Sequence, residues 1–298
     1  MTAAKLLTGC YTALVTPFTA DGSFDEAAYR ALIDWQLAEG VNGLVPCGST
    51  GEAATMSLEE RVRVVRVCVE QVAGRVPVVA GAGGNDTKLA IETSKAMTDA
   101  GASHLLHVSP AYSKPPQRGL IAHFRAIADA AKAPVMLYNV PGRTASNMEA
   151  ETTLALAEHP NIVAVKEASG NLSQMSEIIR NRPAHFAVIS GDDPLTLGLI
   201  AAGGHGIVSV VSNAVPRPMS ELTAKALAGD YAAAQALHLK LTPYFAAAFI
   251  ESNPLPIKAS LAMMGRIGNV LRLPLVPMDP KHEPRVRAAL VTAGALAS

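Results

Sequence analysis

The chain lacks an excess of charge of either sign. Its 25 lysines and arginines balance 25 aspartates and glutamates, and no basic block is present. Nucleic acid and anionic membrane surfaces are therefore not expected partners. Aromatic residues are scarce, at 4% against 49% hydrophobic residues overall. The core must be built from Val, Leu, Ile and Ala, as parallel sheets covered on both faces are. Cysteine is nearly absent: Cys10, Cys47 and Cys68 are an odd number in apolar contexts. That argues against a disulfide framework and for a reducing cytoplasm. The start, MTAAKLLTGC, lacks the apolar run of a signal peptide, and no later run is long enough to span a bilayer. No CxxC or HExxH occurs, and His104 and His107, three apart on one strand-like stretch, point to opposite faces. No metal is expected.

What is present is a repeat of short apolar strands, each followed by a helix-like segment. The strands read as 11–16, 43–47, 76–81, 104–109, 133–139, 162–167, 186–190 and 206–211. Their spacing, roughly 30 residues, is that of one βα unit. Eight such units predict a parallel α/β fold closed into a (β/α)8 TIM barrel. An open doubly wound sheet would usually carry a glycine-rich nucleotide loop after the first strand; TPFTADG (16–22) is not one. Ser57 with Glu60 forms a capping box, Asp86 or Thr87 can cap a helix running to Ala100, and Gly40, Gly74 and Gly101 sit where C-terminal caps belong. The barrel is expected over residues 1–215. Residues 216–298, with helical stretches at 221–241 and 256–267, form a C-terminal helical extension packed on the barrel or on another subunit.

Lys166 stands out, because it lies inside the buried strand-like stretch IVAVKEA (162–168). Burying an ammonium costs several kcal/mol unless it is paired or loses its proton. Either Glu167 pairs with it, or desolvation pulls its pKa down and leaves an amine able to attack a carbonyl. A barrel places its chemistry at the C-terminal ends of its strands. There the strands bring Gly48-Ser49-Thr50-Gly51-Glu52, Tyr112, Tyr138, Arg143 and Gly191-Asp192-Asp193 to the same mouth as Lys166. A 2-keto acid suits such a site, having a carbonyl for the lysine and a carboxylate as a second handle. The GSTGE turn offers N–H groups and the Ser49 and Thr50 hydroxyls to an anion, although such a turn can also be only a turn. Tyr138 is either a proton carrier beside Lys166 or a core tyrosine. Arg143 is a fork for a carboxylate or a solvated loop charge. Glu52, Asp192 and Asp193 read as helix caps.

GSTGE (48–52), YNVPGRT (138–144) and VKEASGN (165–171), in this order and spacing, resemble the dihydrodipicolinate synthase/N-acetylneuraminate lyase family. SGDD (190–193), GGHGIVSV (203–210) and NPLPIK (253–258) extend the resemblance over nearly the whole chain. The resemblance implies a class I mechanism with neither metal nor organic cofactor. Lys166 would form an imine with pyruvate. Thr50, Tyr138 and Tyr112 would relay protons, Tyr112 reaching into the site of a neighbouring subunit of a homotetramer built as a dimer of dimers. Ser49 and Thr50 would hold the pyruvate carboxylate, and the backbone at Gly191 and Val208 would border the site.

VPxRT, with Arg143, is similar to the synthase branch, in which the arginine binds the carboxylate of L-aspartate 4-semialdehyde. The implied product is 4-hydroxy-tetrahydrodipicolinate, on the diaminopimelate and lysine pathway. Ala111, Leu58 and Leu89 stand where lysine-inhibited bacterial members carry a tyrosine and polar residues, so feedback by lysine is expected to be weak or absent. Ser49 itself is shared with the lyase branch. Two other readings remain: a pyruvate-dependent aldolase of the same family acting on a sugar acid or an aromatic adduct, and a barrel that binds a keto acid without turning it over.

Overall fold

All eight strand-like stretches form strands in the computed structural model, which describes residues 6–297. Strand β1 (Gly9–Ala13) leads to helix α1 (Glu26–Ala38), β2 (Gly43–Val45) to α2 (Leu58–Val72), and β3 (Val79–Gly81) to α3 (Thr87–Asp99). The alternation continues with β4 (His104–Val108) and α4 (Gln117–Ala130), then β5 (Val135–Asn139) with a single turn α5 (Pro141–Thr144) and α6 (Ala150–Ala157). Next come β6 (Ile162–Glu167) and α7 (Leu172–Asn181), β7 (Ala187–Ser190) and α8 (Thr196–Ala201), and β8 (Gly206–Ser209) with α9 (Pro216–Leu227).

The strands are parallel, in the order β2-β1-β8-β7-β6-β5-β4-β3. A bridge between Leu44 and Val78 joins the two ends of this order. The Leu44 N–H donates to Pro77 O (3.1 Å) and the Gly81 N–H to Pro46 O (2.9 Å), which closes the barrel. Gly206 sits at φ +147°, and a Cβ there would fall 2.1 Å from Gly9 O, so only glycine lets β8 approach β1 this closely.

Where the strands are shorter than their apolar stretches, the backbone has found other partners. Beyond Ala13, the Val15 N–H donates to the Asn213 side chain (3.1 Å), and β1 begins instead at Gly9, paired with Gly206. Strand β3 starts at Val79 because Pro77 has no N–H to give a ladder and its carbonyl is taken by Leu44.

The helix signals are present as bonds. Ser57 and Glu60 make both hydrogen bonds of a capping box, and Asp86, not Thr87, accepts from the Leu89 N–H (2.7 Å). Gly40, Gly74 and Gly101 all have positive φ, as caps in the left-handed region require. The stretch 221–241 is not one helix. It breaks at Gly229 (φ +79°), and Asp230 caps the next helix through the Ala233 N–H (3.2 Å). The helix before the break, α9, packs on β1 and α8 as the outer helix of the last βα unit. Helices α10 (Tyr231–Ala247), α11 (Leu255–Met263) and α12 (Glu283–Ala293) follow as the extension. No described helix is long and apolar enough to cross a membrane.

Candidate active site

The C-terminal ends of the strands open into a cavity of about 950 Å³, with Ser49, Thr50, Tyr138, Arg143, Lys166 and Gly191 among its lining residues. Two neighbouring strands position the central pair. Tyr138 on β5 is in register with Lys166 on β6, and the Lys166 Nζ lies 4.3 Å from the centre of the Tyr138 ring. Lys166 is only 4% exposed. Gly191, at the end of β7, leaves room for its stem: a Cβ there would meet Lys166 Cε at 2.9 Å.

Glu167 does not pair with Lys166. Alternation along the strand turns it to the other face, where it accepts from Asn139 (3.1 Å), the Ser169 N–H (2.7 Å) and Gln174 (3.1 Å). Desolvation therefore dominates at Lys166 and lowers its pKa from 10.5 to about 8. The buried Asp193 opposes this shift and Arg143 adds to it. At pH 7 roughly a tenth of such amines are neutral, against fewer than about one in a thousand for an ordinary lysine. Burial acts in the opposite sense on the Tyr138 phenol, which it pushes up to about 12, with Arg143 pulling it back. Tyr138 thus keeps its proton at neutral pH and can pass it only in exchange for another.

The turn at 48–52 is tied down at several points. Thr16 donates through its hydroxyl to Gly51 O (2.8 Å), and the Glu52 N–H donates to Ser49 O (3.1 Å). Thr50 is buried, and its Oγ1 accepts from Asn253 Nδ2 (2.8 Å), which leaves its own O–H free to donate. Arg143 lies on α5, with a long contact from Nη2 to Asn253 O (3.4 Å). Helix α10 contributes His238, Thr242 and Phe245 to the cavity lining, and Phe249 follows just beyond its end.

Two of the sequence candidates stand apart. Val208 is fully buried and does not line the cavity; Val210, two residues on, does. Tyr112 is 94% exposed, at φ +68°, and is also outside the lining. The three carboxylates expected to cap helices do not cap their own. Glu52 forms a buried ion pair with Lys258. Asp192 makes no capping bond and lines the cavity. Asp193, fully buried and raised to about 6, accepts from the Ser209 hydroxyl and from the N–H groups of Val210 (3.0 Å) and Val211 (3.3 Å). It caps the turn after β8, the strand next to its own.

Asn253 and Lys258 are the site-related residues that reasoning from the strands passes over, because they belong to the extension. Lys258 did carry a signal, a lysine within the apolar run PIKASLAMM (256–264). It is the same anomaly that marks Lys166.

Comparison with known proteins agrees with this geometry. Residues 6–293 match the model of the Dihydrodipicolinate synthetase family. The 4-hydroxy-tetrahydrodipicolinate synthase of Maridesulfovibrio salexigens is 51% identical over 287 residues, covering 96% of this chain and 98% of the relative. Among solved structures, the dihydrodipicolinate synthase of Cyanidioschyzon merolae with lysine bound is 43% identical, with a TM-score of 0.94 and coverage of 98% and 100%. The chloride-inhibited enzyme of Acinetobacter baumannii complexed with pyruvate is 40% identical, with a TM-score of 0.95 and coverage of 97% and 99%. A barrel in which, among the described residues, a buried lysine without a carboxylate partner lies beside a tyrosine, matched to these proteins over nearly its full length, belongs to the dihydrodipicolinate synthetase family.

Proposed function

We infer that the chain is a lyase that condenses pyruvate with L-aspartate 4-semialdehyde to 4-hydroxy-tetrahydrodipicolinate, in diaminopimelate and lysine biosynthesis. The observation that carries this reading is Lys166: buried where the strands open on the cavity, free of any carboxylate partner among the described residues, and shifted towards the neutral amine.

The chemistry follows from the residues around it. The neutral Nζ attacks C2 of pyruvate, and loss of water from the adduct gives an imine. Removal of a proton from C3 gives an enamine, whose carbon attacks the aldehyde. The amino group of the adduct then adds to C2, closes the ring and releases Lys166. Each step moves a proton. Tyr138, over the lysine, and Thr50, with its free O–H, are the groups proposed to carry them. Ser49 and Thr50 are proposed to hold the pyruvate carboxylate, and the exposed guanidinium of Arg143 that of the second substrate. Arg143 is also the residue that favours aspartate semialdehyde over an acceptor without a carboxylate. Gly191, and the backbone near Val208, are proposed to border the bound pair.

Tyr112 completes the relay only if a second copy of the chain brings it there. An aromatic ring left 94% exposed on a loop in the left-handed region is a feature that burial at an interface would account for. We propose a homotetramer made of two such dimers, acting in the cytoplasm.

The test is the intact mass after pyruvate and borohydride, followed by assay with aspartate semialdehyde. Wild type is expected to gain one pyruvyl adduct and to form the ring, and Lys166→Ala to do neither. Arg143→Ala is expected to keep the adduct but lose ring formation. A wild-type adduct without ring formation would point to an aldolase with another acceptor, and no adduct in wild type would leave only a non-catalytic binder.

A further inference from the structure

The carboxylate-binding turn is bolted to the C-terminal extension by buried charges. Glu52, its last residue, is 2% exposed and adopts φ +55°, a region that a side chain with a Cβ rarely enters. Its carboxylate pairs with Lys258 on α11, which is fully buried, and also accepts from the Arg272 backbone N–H (3.1 Å). Lys258 donates in addition to Val270 O (2.7 Å). The Lys258 ammonium and the Arg272 guanidinium each lie 4.3 Å from the centre of the Phe18 ring, on the loop after β1. Arg272 reaches on to Glu60 (2.6 Å), Thr55 O (3.1 Å) and Gly22 O (2.8 Å). Two cations thus meet two carboxylates, and they join the loop after β1, the turn after β2 and the extension.

A buried ion pair rarely stabilises more than well-packed apolar residues of the same volume would, but it enforces one geometry. This one holds a left-handed residue two positions from Thr50, in the turn whose Ser49 and Thr50 line the cavity. We propose that Glu52 and Lys258 are positioning residues for the keto-acid carboxylate, setting the turn so that Ser49 and Thr50 are aimed at it. The proposal rests on the reading of Ser49 and Thr50 as the carboxylate site.

Charge-conserving variants test it. Glu52→Asp retracts the carboxylate by one methylene, and Lys258→Arg changes the shape of the cation. Both are compared with wild type for steady-state constants with each substrate, for borohydride trapping at saturating pyruvate, and for melting temperature. The KM for pyruvate is expected to rise about tenfold or more, since displacement by a fraction of an ångström is costly at a site of this kind. The trapping rate at saturation and the KM for the aldehyde should change less than about twofold. A lower melting temperature with an unchanged pyruvate KM would overturn the proposal. Should these variants fail to fold, the paired replacement Glu52→Gln with Lys258→Met removes both charges. Its pyruvate KM must again be raised, and a wild-type value would overturn the proposal equally. Ser49→Ala, run in parallel, separates the two layers. If it leaves the pyruvate KM unchanged, the carboxylate site itself is misassigned. If it raises that KM while the Glu52 and Lys258 variants do not, only the positioning role fails.

Discussion

Burial of Lys166 costs the folded protein stability. Its pKa in the fold, about 8, is below the 10.5 of an ordinary lysine. Between those values the unfolded chain binds the extra proton, so stability rises with pH from about 8 to 10.5, and below pH 8 the full cost is present. That cost is on the order of 3 kcal/mol. Lys166→Met, which fills the same space without a charge, is expected to melt at a higher temperature than wild type at pH 7. The gap should narrow as pH approaches 10.5; equal melting at pH 7 would show that the ammonium is not destabilised by burial. The same shift sets the kinetics. With the neutral amine as the proposed nucleophile, kcat/KM for pyruvate should rise as pH passes through about 8. An ascending limb near 10 would mean that Lys166 is not desolvated in solution. At this scale the sequence was informative: a lone lysine in a β-branched strand is an anomaly visible without coordinates. Strand alternation already set Glu167 on the opposite face from Lys166; what the sequence did not show was that Asn139 and Gln174 satisfy it there.

Among the elements, the strands were legible because apolar runs bounded by turn residues have few other uses. Their ends were not, because they depend on partners far along the chain. Val15 leaves the ladder for Asn213, and β3 gives up its first residues to Pro77. The break at Gly229 and Asp230 was written locally, yet the apolar residues on either side of it hid it. The least legible element is the segment between α10 and α11. It places Asn253 against Thr50 at 2.8 Å, across 203 positions of sequence. Asn253→Ala would free the Thr50 hydroxyl to rotate. We expect kcat to fall by about tenfold, with the pyruvate adduct still trapped, because proton transfer needs a positioned donor. Unchanged kcat would show that Thr50 needs no such support.

For the whole molecule, the exposed Tyr112 makes association part of the predicted function. Tyr112→Phe is expected to lower turnover roughly 10- to 100-fold, the range for losing one proton carrier, while a pyruvate adduct still forms. Analytical ultracentrifugation should give a tetramer; an active monomer would remove Tyr112 from the relay. Regulation belongs to this scale too. Leu58 and Leu89 are exposed apolar residues, at 40% and 55%, and Ala111 offers no hydroxyl. None of these side chains gives the ammonium or carboxylate of lysine a polar partner. Turnover should therefore be nearly unchanged at millimolar lysine, and strong inhibition there would refute the expectation.

The sequence by itself determined the repeating βα pattern, the apolar composition of the core and the anomalous lysine, because each is a property of neighbouring residues. It also carried the ordered motifs that mark the family. Only the tertiary structure decided which charges are paired. Glu52, read as a helix cap, is a buried partner of Lys258, and Asp193 caps a turn 18 positions away. Ion pairing and desolvation depend on which atoms come within a few ångströms of each other, and that is set by closure of the barrel and by the extension folding over its mouth.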